Sequence, residues 1–306
     1  MSWEAELDKR IAKELPELQV VTDEPMSRHT SFRIGGPAKR MALPESAEQL
    51  VRLMALATEC GAEPLLIGNG SNLLVPDEGL DRLVIKTAAS MVRVAEGTGE
   101  CTVAADAGAT LASVANFAQK LGLTGLEFAH GIPGTVGGGV CMNAGAYDGE
   151  MKQVVQSVTV LFPGEGVQVL SNAEMDFRYR HSLLSDHPEA VVLQAVFQLQ
   201  PGDPAAIRAK MEELMARRKA SQPLEYPSAG STFKRPEGYF AGTMIDQCGL
   251  KGTSVGGAEV SEKHAGFIIN KGGATCEDVT LLIALVQQTV FDRFGVLLEP
   301  EVKILK

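Results

Sequence analysis

The sequence offers little to disulfide, metal or membrane chemistry. Its five cysteines (Cys60, Cys101, Cys141, Cys248 and Cys276) are odd in number, scattered and without a C-x-x-C pair. They read as reduced, mostly buried thiols and not as a disulfide framework or zinc site. The five histidines lack H-E-x-x-H and His-x-x-x-His spacing, so no metal is expected. No apolar run approaches the roughly 18 residues of a membrane span. The first residues, Met1-Ser2-Trp3-Glu4-Ala5-Glu6, carry acids where a secretory leader carries bases. The expected location is the cytoplasm, with no membrane association. Basic residues are also scarce: 28 Lys and Arg against 38 Asp and Glu give a net charge of −10. Such a chain is poorly suited to nucleic acid, which needs a basic face. A small anion held by backbone N–H groups remains open. Repeats, heptads and low-complexity segments are absent, and there is no Gly-x-Ser-x-Gly elbow to suggest an esterase.

What is present is mixed α and β patterning over 306 residues, enough for two or three subdomains. Leu7, Ile11 and Leu15 predict an N-terminal helix within residues 1–20, and Leu50, Leu53, Met54 and Ala57 predict another over 44–61. Short apolar strands at 64–67 and 73–75 flank the loop Gly68-Asn69-Gly70-Ser71-Asn72. A dinucleotide fingerprint of the Rossmann type runs strand–loop–helix, whereas this loop feeds a second strand. A phosphate here would therefore rest on a nest of amides. Strands follow at 83–86, 91–94 and 101–105, with a helix over 110–121. A strand-rich block spans 154–162, 167–170 and 191–199, and Asp203-Pro204 opens a helix. Residues 221–227 read as a linker into a last unit with a loop at 228–236, a glycine-rich middle, a helix over 277–294 and a strand at 302–305.

Four segments carry candidate chemistry, each with a plainer alternative. The loop at 68–72 suits close approach to a pyrophosphate but is also a plausible β-turn. The stretch 131–149 holds seven glycines, three of them consecutive (Gly137, Gly138, Gly139). Glycines disfavour regular elements, so a ligand loop is expected there. Phe177-Arg178-Tyr179-Arg180-His181-Ser182 offers arginines suited to carboxylate or phosphate, or else a solvated strand end. Ser228-Ala229-Gly230-Ser231-Thr232-Phe233-Lys234-Arg235 places hydroxyls beside cations, as a proton donor or as a simple turn. Glu299 and Glu301 near the end are, unaided, surface charges.

Taken in order, these segments resemble the UDP-N-acetylenolpyruvoylglucosamine reductase family, in its shorter subtype. The resemblance rests on His29-Thr30-Ser31-Phe32-Arg33-Ile34-Gly35-Gly36-Pro37-Ala38, the 68–75 loop, Gly131–Tyr147 and Tyr179-Arg180-x-Ser182. It continues through Ser228–Lys234, Gly257–Ile268 and Pro300-Glu301-Val302, covering about nine-tenths of the chain. It implies an α+β fold with a two-part FAD-binding domain of the vanillyl-alcohol-oxidase type, in subdomains at 1–85 and 86–202, and a substrate-binding domain at 203–306. FAD would be non-covalent, since 68–72 contains no His or Cys to tether it, and NADPH would be the electron donor. By the same resemblance FAD would be held by Arg33, Gly68, Asn69, Gly70, Ser71, Asn72, Gly131, Pro133, Gly134, Val136, Gly137, Gly138, Asn143, Gly145 and Ala146. Tyr179, Lys234, Lys263 and His264 would bind the UDP-sugar. Hydride would reach C3 of the enolpyruvyl group, with Arg180 and Glu301 stabilising the charge at C2 and Ser231 giving C2 its proton. Lys39, Asp148 and Cys141 depart from common family residues without touching those roles. A monomer is expected. A sugar or hydroxy-acid oxidase on the same flavin fold, and a non-catalytic flavin sensor, are the competing readings.

Overall fold

Leu7 and Ile11 lie one helical turn apart, and helix α1 (Trp3–Glu14) buries both. Helix α2 (Ala47–Glu59) starts where Ser46 accepts the Gln49 N–H, and it buries Leu50, Leu53, Met54 and Ala57. In the computed structural model, which describes residues 2–87, 92–95 and 99–306, these helices pack with Leu83, Ile85 and Leu193 in one core. Beside them Pro64–Ile67 and Leu80–Lys86 form a parallel pair, whose connection carries the first glycine loop.

The chain divides into two units. The first takes in residues up to Val21, Arg40–Gly68 and Arg82–Arg217, and the second Thr22–Lys39, Asn69–Asp81 and Arg218–Lys306. The first unit contains a five-stranded antiparallel sheet in the order Gly166–Ser171, Val155–Phe162, Val191–Gln198, Thr102–Asp106, Val92–Val94. Met91 of the strand expected at 91–94 lies outside the described residues. Helix α3 (Leu111–Lys120), capped by Thr110, and helix α4 (Val136–Cys141) share a core with this sheet that includes Val114, Val140, Val158 and Phe197. Asp203 accepts the Ala205 and Ala206 N–H groups at the head of helix α5 (Pro204–Ser221), as its Asp-Pro start predicts.

In the second unit, the segment expected as a glycine-rich middle folds as helix α6 (Ala241–Gln247) and a three-stranded antiparallel sheet of Ser254–Val255, Ala258–Val260 and Ile268–Asn270. These pack with Phe32, Leu74, Val279, Ile283 and Val286. Helix α7 (Cys276–Phe294) has a full capping box, Thr275 accepting from Asp278 N–H, and ends at left-handed Gly295. The Asp77 carboxylate also accepts the Cys276 N–H at 2.9 Å. Thr275→Ala is expected to lower stability by about 1 kcal/mol, read as a shift in the urea midpoint. The N–H groups of Thr275 and Gly257 hold the Asp278 carboxyl below its ordinary 3.8. A depressed carboxyl stabilises the fold above its unfolded pKa, so this small contribution is present at neutral pH and fades as pH falls from about 4 downward. All five cysteines are free, but only Cys276 is buried; the other four are half-buried, fewer than their apolar character predicts.

Candidate active site

The first glycine loop is shaped by backbone proximity. A Cβ on Gly68 would lie within 3 Å of Thr135 Oγ1, so glycine lets the two glycine-rich loops touch inside the first unit. Gly70 is buried with φ +60°, and its Cβ would meet the His29 carbonyl oxygen within 3 Å. The Ser31 N–H donates to the Gly70 carbonyl at 3.2 Å. Among the described residues the N–H groups of Gly70 and Ser71 have no protein acceptor. Buried donors in this state need a ligand or water. Asn69 is exposed. The Asn72 amide is committed to protein, donating to the Glu301 carbonyl at 3.0 Å.

The second loop departs from expectation. Gly137, Gly138 and Gly139 do not lie in an irregular loop but in helix α4. Thr135 caps it by accepting the Gly138 N–H. A Cβ on Gly137 would sit 3.2 Å from Ala107 Cβ, and one on Gly139 3.2 Å from Leu111 Cδ1. The helix therefore lies close against its neighbours, and this packing offsets the conformational cost of glycine. The N–H groups of Val136 and Gly137 donate to Ala109 and Ala107 carbonyls at 2.8 and 2.9 Å. Those of Gly134 and Thr135 have no acceptor among the described residues, and Thr135 is 4% exposed. Gly131 is half-buried and Pro133 exposed. Downstream, Gly145-Ala146 pairs antiparallel with Gly149-Glu150. Asn143 is 1% exposed, with its side chain fully engaged by protein.

Arg180 occupies a tight turn, not a strand end. Arg178 and His181 exchange two main-chain bonds, each 3.1 Å, and Arg180 takes φ 53°. Its guanidinium lies 5.3 Å from the Tyr179 ring centre, a cation–π contact. Positive φ in a non-glycine residue costs energy, and such residues concentrate at functional sites.

The second unit holds Ser231 and Glu301 near one another. Phe233 bridges Pro300 antiparallel, and the Glu301 N–H donates to the Thr232 carbonyl at 2.8 Å. Thr232 itself donates to the Gly266 carbonyl and accepts the Ile268 N–H. Ser231 is half-buried, and its hydroxyl makes no hydrogen bond among the described residues. The Lys234 ammonium is paired with Glu299, which gives the two terminal glutamates different surroundings. Arg33 is exposed, with φ 55°, in a turn where its N–H donates to the Thr30 carbonyl.

A cavity of about 280 Å³ in the second unit is lined by Phe240, Thr243, Asp246, Lys251, Lys263 and His264. Desolvation holds the His264 imidazole below its ordinary 6.5, so it is neutral at pH 7, and its Nδ1 accepts the Gly266 N–H at 3.1 Å. Lys263 donates to the Lys219 carbonyl at 2.7 Å. Phe240, over which Arg235 stacks at 3.9 Å, was not evident from sequence; an exposed aromatic beside a cation was the available signal. Thr135, buried with an N–H that has no acceptor among the described residues, was also missed, though its position between two expected contacts marked it. Among the described residues no group of three His, Cys, Asp or Glu is placed to hold a metal ion.

Residues 38–171 match the family model described as FAD binding domain, and residues 222–305 match UDP-N-acetylenolpyruvoylglucosamine reductase, C-terminal domain. The UDP-N-acetylenolpyruvoylglucosamine reductase of Caldanaerobacter subterraneus subsp. tengcongensis is 51% identical over 291 residues, 95% of each chain. That of Pediococcus pentosaceus is 49% identical over 300 residues, 98% of each. The crystal structure of UDP-N-acetylenolpyruvylglucosamine reductase from Thermus caldophilus superposes with a TM-score of 0.78 at 36% identity, covering 94% of this chain and 99% of that one. The fold is thus the expected α+β arrangement of an FAD-binding domain with a second domain of the reductase type. The chain belongs to the UDP-N-acetylenolpyruvoylglucosamine reductase family.

Proposed function

We propose that the chain reduces the enolpyruvyl group of UDP-N-acetylglucosamine-enolpyruvate to give UDP-N-acetylmuramate for peptidoglycan, using non-covalent FAD and NADPH. Each unit by itself supports FAD: Gly70 in the second and Thr135 in the first are buried with N–H groups that have no protein acceptor among the described residues, as a phosphate oxygen needs. FAD, when bound and reduced by NADPH, would supply the hydride that C3 receives. Arg180 binds the substrate carboxylate and, with Glu301, stabilises negative charge developing at C2. Ser231 Oγ–H protonates C2, and solvent restores the serine proton. Lys263 and His264, lining one cavity, together with Tyr179 and Lys234, hold the sugar nucleotide. The functional division places FAD on 1–85 and 86–202 and substrate on 203–306. The enzyme works as a cytoplasmic monomer; among the described residues no helix is long and apolar enough to cross a membrane.

The observation that carries this reading is the tie between the serine loop and the terminal glutamate segment, through the Glu301 N–H and the Phe233–Pro300 bridge. It joins the main chains of the two segments, which supports giving Ser231 and Glu301 roles in one proton-coupled reduction of an enol ether. Purified protein is expected to be yellow, to bleach with NADPH without oxygen, and to regain colour when the enolpyruvyl nucleotide is added. A colourless protein that refuses added FAD refutes the cofactor. Recolouring by oxygen alone, with the nucleotide inert, makes it an oxidase.

A further inference from the structure

We infer that Asn143 is a positioning residue for Arg180, acting through the backbone of Arg178. The inference rests on the reading of Arg180 as the carboxylate-binding residue. Asn143 is 1% exposed and takes φ 43°, a conformation asparagine tolerates better than most residues. Its Nδ2 donates to the Arg178 carbonyl and to Glu150 Oε2, each at 3.0 Å, while its Oδ1 accepts the Lys152 N–H at 2.9 Å. Two acceptors face one end and a donor faces the other, so only one amide orientation satisfies the network.

The turn that carries Arg180 has short-range ties of its own, among them a contact of the Arg178 guanidinium with His181 Nε2 at 2.8 Å. It is closed by two main-chain bonds between Arg178 and His181, with Arg180 in the left-handed region. The Arg178 guanidinium pairs with Asp176 at 2.6 Å, but both side chains are more than half exposed, so this pair fixes the backbone weakly. Firm attachment comes from one short segment after α4. Asn143 holds the residue two before Arg180, and the Cys141 carbonyl accepts the hydroxyl of Ser182, two residues after it, at 2.8 Å. Ser182 is fully buried. The segment that follows the glycine run therefore sets both ends of the arginine turn. A guanidinium meeting a carboxylate in a forked pair tolerates little rotation, so tilting the turn costs rate more than it costs stability.

The test uses the FAD-loaded enzyme carrying Asn143→Asp. Aspartate accepts φ 43° and keeps the acceptor for Lys152 N–H, but it loses both donors and turns an oxygen toward the Arg178 carbonyl. Recolouring by the enolpyruvyl nucleotide is expected to slow by about 10- to 100-fold more than bleaching by NADPH does, with flavin content measured alongside. In an Arg180→Ala background the same change is expected to add less than about twofold, because Asn143 acts only through that side chain. If Asn143→Asp does not yield folded protein, Asn143→Gly, uncharged and at home at positive φ, replaces it. Wild-type recolouring overturns the inference. So does equal slowing of bleaching and recolouring or loss of flavin, either of which makes Asn143 a structural part of the flavin loop. Additive losses in the double variant overturn it as well. If Arg180→Ala itself recolours at the wild-type rate, the reading of Arg180 has failed, an outcome separate from the first three.

Discussion

Ser231→Ala is expected to leave flavin binding and bleaching by NADPH unchanged, and to slow reduction of the enolpyruvyl nucleotide by about 10³-fold, within the 10²–10⁴ range of general acid catalysis. Ser231 follows left-handed Gly230 (φ 76°) and precedes Thr232, whose main and side chains are both tied to the 266–268 segment. The loop is therefore held by residues other than Ser231. The serine hydroxyl has no protein partner among the described residues, so its removal strands no buried group and the melting temperature should hold. A serine is a weak acid, and only a strongly basic carbon accepts its proton. In the proposed reaction charge at C2 is such a centre, and the roles proposed for Glu301 and Arg180 would govern how basic it becomes. Ser231→Cys keeps an ionisable hydrogen and should recover part of the lost rate. Turnover of the alanine variant near wild type would mean that another group supplies the proton.

Gly70→Ala is expected to give protein that purifies without flavin and melts earlier. Alanine must adopt φ +60°, at a cost of roughly 1–2 kcal/mol. Its Cβ would also press on the His29 carbonyl and stand 2.9 Å from Thr30 Cα. That segment cannot retreat, because Ser31 N–H bonds the Gly70 carbonyl and Thr30 Oγ1 bonds the Ile34 carbonyl at 2.9 Å. The clash adds about 1–3 kcal/mol, or else the loop moves and the two open N–H groups lose their aim. Gly238→Ala separates these causes: its φ is +74°, yet nothing lies within 4 Å of a Cβ there. It should lose a little stability and no flavin. Equal flavin content in both variants would show that the Gly70 loop does not bind FAD.

Local patterns made much of this legible. The strand Pro64–Ile67, the Ser46-capped α2 and the Asp203-Pro204 start of α5 appear where periodicity and capping chemistry put them. The strand–loop–strand setting of Gly68–Asn72 was equally plain, because Leu73–Leu74 follows directly. Helix α4 was hidden because three glycines oppose helix locally, and only their contact with Ala107 and Leu111 explains them. Helix α6 and the sheet around Ala258–Val260 were hidden for a related reason: their elements are short and stabilised by packing on α7. The ties made by Asn72, Asn143 and Asp77 span 229, 35 and 199 residues, and no local pattern encodes such partners.

The second unit is stitched from three separated stretches, so the polypeptide's last third does not contain the whole of its core. Phe32 and Leu74 complete that core, and the Phe32 carbonyl accepts the Asn270 amide across 238 residues. During synthesis the apolar contacts of Phe32 and Leu74 with the last third must wait until the final helix leaves the ribosome, which makes for slow, high-contact-order folding. The same interleaving means that evolution cannot trade the carboxy-terminal third as an independent module without also moving the two inserted segments that finish it.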